Sequence, residues 1–306
     1  MSLLNWLFAP PNIAKLEASG DVEGLAAALR HKDSAVRAEA ATALGLVALE
    51  AQKKARSAHQ ALLMPLEALM DAPAQAETKR SHTGIVGTIA AALRTAVSDV
   101  DPAVRQATVE ALAPLGVSNV LAHRDGLVDA LRDEQAQVRR LAAEALVVWG
   151  SERQPAVDEL LAKLQDPDAD VRIAAQVTLE TWYTPQSTGA PDYGRVQAAL
   201  QAHPAWLPAT VPGSYVRERG QGRGSVSDGE VRYFAARLLT FYRRNPDGFI
   251  GPTYLTREIQ EIGHDLSRRG GAELMNQVHE HFRTRYPGGA NNLAYIWKGV
   301  GGWEPG

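Results

Sequence analysis

The chain has 306 residues, of which 45% are hydrophobic and 22% are charged, and its formal net charge is −3. This composition is that of a globular protein, and it excludes wholesale disorder. Cysteine is absent, which excludes a disulfide framework and a thiolate metal site, so packing alone must hold the fold.

The N-terminal segment from Met1 to Pro11 is apolar but short. It lacks a basic leader and is interrupted by prolines, so we expect no secretory signal. No uninterrupted apolar run in the chain reaches about 18 residues, and we therefore expect no membrane span. Both expectations agree with a cytoplasmic location.

A short acidic turn followed by Val-Arg recurs along the chain. The valines of this motif stand at positions 36, 104, 138, 171 and 231, with separations of 68, 34, 33 and 60 residues. Such a fixed period is the signature of a repeat architecture. The first gap holds two periods and predicts a degenerate repeat near residues 58–82, and the last gap holds one period plus an insertion.

Each copy of the motif predicts a pair of helices. The first helix ends in an apolar residue seven positions before the motif valine, at Leu29, Val97, Leu131 and Leu164. The second helix carries apolar residues on one face, as in the series Val138, Leu141, Ala142, Ala145, Leu146 and Trp149. Gly45, Gly116 and Gly150 stand where a helix should end. Since one pair cannot bury both of its faces, the pairs must stack.

At these residues the sequence resembles the HEAT repeat family, and within it the bacterial short-repeat type also called PBS-lyase-like. The resemblance covers residues 12–182 and 228–243. It implies an all-α fold, a right-handed α-α superhelix in which residues 1–182 form a solenoid of about five repeats. Residues 183–244 then hold the last repeat, interrupted by a long loop at 204–227, and residues 245–306 form a divergent helical C-terminal cap. Members of the family mostly act as binding scaffolds with unrelated partners.

The arginine after each motif valine and the acidic residue before it form a possible ladder. We predict that each arginine pairs with an aspartate of its own or a neighbouring turn and so holds the turns in register. The alternative is a basic row that follows nucleic-acid phosphates. The net acidic surroundings disfavour it, because residues 1–182 hold 18 Lys and Arg against 24 Asp and Glu. The predicted structural ladder consists of Asp33, Arg37, Asp101, Arg105, Asp133, Arg139, Asp166, Arg172, Asp228 and Arg232.

The loop at 204–227 is the candidate site for binding a ligand or partner. A loop of this length inside a compact array is usually functional or disordered. We expect Trp206 and Tyr215 to hold the loop on the solenoid, while Arg217, Arg219 and Arg223 stand on a glycine-rich backbone. Their guanidinium groups match phosphate or carboxylate. The alternative is a mobile surface loop whose arginines are only solvated.

The C-terminal part has a different composition. Residues 183–306 hold 15 of the 19 aromatic residues, and 13 of their 14 basic residues are arginine. Apolar spacing predicts helices near 253–268 and 272–285, with Gly270-Gly271 between them, and a short third helix from Asn291 to Lys298. We expect Trp297 and Trp303 to cover the apolar end of the solenoid; the alternative is that they stack on a ligand.

Potential metal ligands and catalytic motifs give no strong pattern. Glu261, His264 and Asp265 share one helical face. His279, Glu280 and His281 follow on the next helix, where the two histidines point about 200° apart. We expect neither a metal site nor a cofactor. The sequence contains no Gly-x-Ser-x-Gly, Walker A or His-Glu-x-x-His motif, so an enzyme is the less favoured interpretation.

The leading hypothesis is a non-enzymatic scaffold of the bacterial cytoplasm that binds another protein through the concave face of the solenoid and the 204–227 loop. Two alternatives stay open. An enzyme or enzyme subunit of the phycobilin-lyase-like class is implied only by the repeat family. Binding of nucleic acid or another anionic ligand by the Arg-rich C-terminal region would show a steep dependence on salt.

Overall fold

The computed structural model describes residues 11–61, 72–113, 115, 121–149, 154–202, 227–244 and 253–304. The regular elements in these ranges are helical. The chain divides into two compact units, Met1–Trp149 and Gly150–Gly306. No helix in the described ranges is long and apolar enough to cross a membrane.

Unit 1 contains seven helices in its described residues. They are α1 (Ile13–Ser19), α2 (Val22–Ala28), α3 (Ser34–Ala61), α4 (Ala72–Ala96), α5 (Pro102–Leu112), α6 (Leu121–Ala130) and α7 (Ala136–Leu146). The first helices α2, α4 and α6 contact one another in order, and so do the second helices α3, α5 and α7. The unit is therefore a stack of helix pairs in two layers, the arrangement of an α-solenoid.

Unit 2 begins with the same kind of helix pair and ends differently. Its described helices are α8 (Gln154–Lys163), α9 (Ala169–Trp182), α10 (Tyr193–Ala202), α11 (Asp228–Arg244), α12 (Thr253–Arg285) and α13 (Pro287–Trp297). Helix α9 packs against α8 and α11, and α12 packs against both α11 and α13. Helix α12 is interrupted at Gly271, whose φ of 66° and ψ of −156° lie outside the helical region.

The predicted apolar positions are buried. All four residues that end the first helices, Leu29, Val97, Leu131 and Leu164, belong to the core. The stripe from Val138 to Trp149 and the corresponding stripes of α9 and α11 are buried as well, apart from Tyr242, which lies outside the residues whose burial is described. The helical period of the sequence therefore identifies the core faces.

Helices α3 and α4 are much longer than the repeat pattern predicts. They have 28 and 25 residues, and they take up 58–61 and 72–82, where the spacing predicts a degenerate repeat. In the described residues, the two-period gap between the motif valines at positions 36 and 104 is therefore occupied by a longer α3, the second helix of one pair, and a longer α4, the first helix of the next pair.

The prediction that Gly45 ends a helix is wrong, because Gly45 lies in the middle of α3. A Cβ atom on Gly45 would stand 2.8 Å from Cβ and 2.9 Å from Cα of Ala111 in α5. The glycine therefore permits close packing of two second helices rather than a helix end. Gly116 and Gly150 lie outside the described residues.

Candidate functional site

Arg37 of α3 forms a two-point contact with Asp99, which follows α4. Its Nε and Nη2 atoms donate to the two carboxylate oxygens of Asp99, each at 2.8 Å. Its Nη1 atom donates to the carbonyl of His31 at 2.9 Å, in the turn before its own helix. One guanidinium group thus joins two successive turns.

Arg105 of α5 repeats this geometry with the next turn. Its Nε and Nη2 atoms donate to the carboxylate of Asp133 at 2.6 and 3.1 Å, and Nη2 also donates to Glu134 at 3.0 Å. Its Nη1 atom donates to the carbonyls of Asp99 and Val100. The side chain is only 9% exposed, so the pair lies largely out of water.

Arg139 and Arg172 hold their own turns in the same way. Nη1 of Arg139 donates to the carbonyls of Asp133 and Glu134, both at 2.9 Å. Nη1 of Arg172 donates to the carbonyls of Asp166 and Pro167 at 2.8 and 3.1 Å. Both arginines are buried. Buried guanidinium groups cannot form an exposed row for phosphates.

The turn aspartates fall into two classes, which the sequence pattern alone does not separate. Asp99, Asp133 and Asp166 stand six residues before a motif arginine, and Asp99 and Asp133 accept from the arginine of the preceding turn. Asp33, Asp101 and Asp168 stand four residues before and cap the second helix, accepting from backbone N–H groups at 2.9 Å. The predicted ladder treats Asp33, Asp101, Asp133 and Asp166 as equivalent. The structure shows that Asp33 and Asp101 occupy the capping position, whereas Asp133 and Asp166 occupy the position two residues earlier in the motif.

The turn between α2 and α3 has no aspartate at the position where Asp99 and Asp133 accept from the arginine of the preceding turn. His31 occupies that position, and its Nδ1 accepts from the backbone N–H of Asp33 at 3.1 Å. The local turn is kept, while the link to a preceding turn is absent from the described residues.

The pairs change the electrostatics of their members. The hydrogen bond from Arg37 lowers the pKa of Asp99 below its ordinary value, against the opposing effect of burial. The same bond raises the pKa of Arg37, and the bond to Asp133 raises the pKa of Arg105. Folding therefore favours the charged forms of Asp99, Arg37 and Arg105.

The last motif arginine, Arg232 of α11, departs from this pattern. Its Nη1 contacts Oδ1 of Asp170 at 3.4 Å, and its Nη2 donates to Asp228. Asp170 is the second residue of α9, a position occupied in earlier motifs by alanine or glutamine. Its other oxygen accepts from Nη2 of Arg285 at 3.3 Å. Asp170 thus connects α9 to both α11 and α12.

The second helices of the two units also differ in the polarity of one pair of positions. The residues one and five positions after the motif arginine form polar pairs in α5 and α7 of unit 1, with Gln106 donating to Glu110 at 3.0 Å and Arg140 donating to Glu144 at 2.6 Å. In α9 the same positions hold Ile173 and Val177, which are buried in one apolar core with residues of α11, α12 and α13. The C-terminal helices therefore cover this row within unit 2.

The five candidate binding residues of the loop, Trp206, Tyr215, Arg217, Arg219 and Arg223, lie outside the described residues. Their role as a binding site remains a prediction.

The two C-terminal tryptophans lie inside the core of unit 2. Trp297 Nε1 donates to the carbonyl of Ile259 at 2.9 Å, and Trp303 Nε1 donates to Oδ1 of Asn276 at 2.7 Å. Their rings meet edge to face at 5.9 Å. Buried and hydrogen-bonded in this way, they leave no ring face for a ligand.

Three carboxylates and one histidine of α12 that could act as metal ligands have separate partners. Glu261 accepts from Arg257, Asp265 from Arg269 and Glu280 from Arg283. His279 Nε2 lies 3.1 Å from the carbonyl of Ala290. In the described part of the chain, no group of three or more His, Asp or Glu side chains is placed to hold a metal ion.

Two surface depressions lie in positions that the sequence does not indicate. In unit 1, a cleft of about 530 Å³ is lined by the C-terminal end of α1, by α3 between Leu46 and Lys54 and by α4 at His82 and Ile85. In unit 2, a groove of about 630 Å³ is lined by Asp228 and Val231 of α11 and by α12 between Asn276 and Thr284. We call them the α1–α3–α4 cleft and the α11–α12 groove.

The repeat geometry agrees with the comparisons to known proteins. Residues 124–190 match the family model described as HEAT repeats. The chain therefore carries HEAT repeats, and the predicted all-α HEAT-repeat class is confirmed. The bacterial PBS-lyase-like subtype stays a prediction. HEAT repeats generally mediate protein–protein interactions.

Among solved structures, the chain is similar to a crystal structure of an engineered protein from the Northeast Structural Genomics Consortium. The two share 19% sequence identity over 88% of this chain and 98% of that chain, with a TM-score of 0.40. No curated protein matches the chain significantly.

Proposed function

We propose that this protein is a non-enzymatic scaffold that binds another protein through the exposed faces of its HEAT repeats. The observation that carries the proposal is Leu46, a large apolar side chain that is 50% exposed and lines the α1–α3–α4 cleft. Val47, Leu49 and Ile85 are half-buried beside it. Apolar side chains grouped in a cleft are the usual anchor point of a protein interface.

The rim of the cleft is charged with both signs. Glu17 and Glu50 carry negative charges, and Lys53 and Lys54 carry positive charges. A mixed polar rim around an apolar centre is the anatomy of a protein interface rather than of a site for a polyanion. The rim therefore favours a protein partner for this surface.

The arginine pairs support the scaffold by keeping successive turns at fixed positions. Arg37 and Arg105 each join two turns through two-point contacts. A partner that touches several second helices gains affinity when these helices are already ordered, because binding then costs less conformational entropy. The ladder is thus proposed as a support for the binding face.

The proposal also includes the 204–227 loop as a contact region and a cellular location for the protein. We keep the loop as a second contact region, supported by its length and by Arg217, Arg219 and Arg223. The resemblance to bacterial repeat proteins favours the bacterial cytoplasm. A nucleic-acid role of the C-terminal region has less support, since Arg257, Arg269 and Arg283 each have a carboxylate partner.

The test is capture of the partner from a lysate of the source cell, using the full chain and two single variants. Leu46→Ser removes the apolar anchor, and Val100→Ser is the matched control, because Val100 is an equally aliphatic side chain that is 89% exposed elsewhere in unit 1. We expect the partner to be lost with Leu46→Ser and retained with Val100→Ser. Equal capture by both variants would remove the cleft from the proposal. Deleting residues 207–224 tests the loop, and unchanged capture would dismiss it.

A further inference from the structure

We infer that the apolar segment 3–8 of the chain packs into the chain's own α1–α3–α4 cleft and competes there with the protein partner. The competition rests on the proposed scaffold function and adds a regulation of the same site. The segment would cover the cleft in the free protein, and the partner would displace it.

The first helix pair is too short to cover the pair that follows it. Helices α1 and α2 have seven residues each, and both pack against α3. A helix of seven residues is about 10 Å long, whereas the 28 residues of α3 extend over about 42 Å. Helix α3 therefore continues beyond the part that α1 and α2 can cover, and Leu46 is 50% exposed there.

The segment that precedes α1 has the composition to fill this cleft. Five of its six residues are large and apolar, and the sixth, Asn5, is uncharged. The apolar residues are Leu3, Leu4, Trp6, Leu7 and Phe8. Packing on an apolar surface stabilises such side chains by about 25 cal/mol per Å² of area removed from water. Docking would desolvate no charged side chain of the segment.

The segment is long enough to reach the cleft. Helix α1 begins at Ile13, and its C-terminal end from Glu17 to Gly20 lines the cleft. The length of α1 is about 10 Å, and the five peptide units between residues 8 and 13 span up to about 17 Å. Ala14 and Ala18 are exposed one turn apart on α1, and Ala18 lines the cleft. An apolar path therefore leads from the start of α1 to the cleft.

The covalent connection favours this segment over a free peptide of the same composition. A short linker gives a tethered group an effective concentration in the millimolar range, so even weak contacts keep it bound. A partner that uses the same cleft then binds only the fraction of chains in which the cleft is open, and its apparent affinity falls by that fraction.

The accessibility of a single thiol tests whether the segment covers the cleft. Because the chain contains no cysteine, Glu50→Cys places one thiol in the wall of the cleft, at a side chain that is 57% exposed. Its rate of reaction with iodoacetamide is measured in the full chain with the natural segment and in the full chain with Trp6→Ser/Phe8→Ser. Val100→Cys in the same two backgrounds is the control, since Val100 is 89% exposed and does not line the cleft. Equal urea midpoints of the two backgrounds exclude unfolding as a cause.

We expect the thiol at position 50 to react about tenfold more slowly with the natural segment than with the substituted one, which corresponds to a cleft that is open in about 10% of the chains. The thiol at position 100 should react at the same rate in both backgrounds. Equal rates at position 50, or an equal change at both positions, would overturn the inference. Protection that increases with protein concentration would also overturn it, because the segment of a second copy would then be the occupant.

The competition is measured with the purified partner. Trp6→Ser/Phe8→Ser should strengthen its binding about tenfold, the inverse of the open fraction, and an unchanged affinity would overturn the competition.

Failure of the segment and failure of the proposed function give different results. Unchanged capture by Leu46→Ser, with the thiol at position 50 still protected, would reject the cleft as the anchor of the partner and retain the segment as its occupant. Loss of capture by Leu46→Ser, with an unprotected thiol, would retain the anchor and reject the segment.

Discussion

Arg105 and Asp133 meet in a two-point contact, Nε to Oδ2 at 2.6 Å and Nη2 to Oδ1 at 3.1 Å, although they belong to different helix pairs. The same arginine donates to the backbone carbonyls of its own preceding turn. Arg37 and Asp99 reproduce the arrangement one helix pair earlier. The recurrence makes these contacts a structural element of the repeat rather than isolated surface pairs.

Replacing Asp133 by Asn leaves the buried Arg105 with Glu134, whose side chain is 79% exposed, as its remaining counter-ion. We expect the free energy of unfolding to fall by about 2 kcal/mol, because the buried partner of the pair is removed and an exposed carboxylate compensates only weakly. Asparagine keeps the oxygen that accepts from the backbone of Gln135, so the local turn is retained. Urea denaturation followed by circular dichroism measures the change.

Glu134→Gln is the control for that prediction. Glu134 also accepts from Arg105, but its side chain is largely exposed, so we expect a change within about 0.5 kcal/mol. Equal losses in the two variants would show that the contact with Asp133 has no special weight.

The Arg37–Asp99 pair should make stability depend on pH in acid. The pKa of Asp99 is lower in the folded chain than its ordinary value of 3.8, so folding favours the ionised form. The resulting stability is present above the ordinary pKa and is lost as pH falls through the folded pKa. We expect the difference in urea midpoint between the natural chain and Asp99→Asn to shrink as pH is lowered from 5 to 3. A difference that stays constant over this range would contradict the linkage.

Gly45→Ala should destabilise the chain although alanine is the better helix former. The added Cβ would meet the backbone and Cβ of Ala111 within 3 Å, and we expect a loss of about 1–3 kcal/mol from overpacking. Gly84→Ala in α4 is the control, since nothing lies within 4 Å of its Cβ position. There we expect a gain of about 0.5–1 kcal/mol. Thermal or urea unfolding of the two variants should give opposite signs, and the same sign in both would refute the close contact.

The apolar faces of the helices could be predicted from the sequence, because burial follows the helical period whatever the partner helix is. Val171, Leu179 and Trp182 are buried for this reason. The choice of aspartate was not predictable, since Asp99 and Asp101 are both close to the motif and only the fold shows which one faces Arg37. The length of α3 could not be predicted either, because a glycine such as Gly45 is typical of a helix end. Only the fold shows that Gly45 is needed for close contact with Ala111.

The contacts of Asp170 show why much of the candidate site could not be predicted from the sequence. One of its partners, Arg285, is 115 positions away along the chain, and no periodic pattern links the two. The α1–α3–α4 cleft and the α11–α12 groove likewise arise from helices that are distant in sequence. Their residue types are ordinary, and only their juxtaposition is informative.

Replacing Asp170 by Asn should loosen the junction of α9 with α11 and α12. Arg232 and Arg285 lose their shared carboxylate, but all three side chains are partly exposed, so we expect a loss below about 1 kcal/mol. Hydrogen exchange should become faster at the start of α11 and at the C-terminal end of α12. Asp158→Asn, which removes an exposed partner of Arg195, should leave exchange in those helices unchanged. Unchanged exchange with Asp170→Asn would show that the junction does not depend on this carboxylate.

The proposed apolar anchor on the HEAT repeats is tested most directly by the affinity of the identified, purified partner for three forms of the full chain. Isothermal titration should give a Kd that is at least about tenfold weaker for Leu46→Ser than for the natural chain, which corresponds to about 1.4 kcal/mol. The Kd of Val100→Ser should equal that of the natural chain. The same Kd for all three forms would contradict the claim.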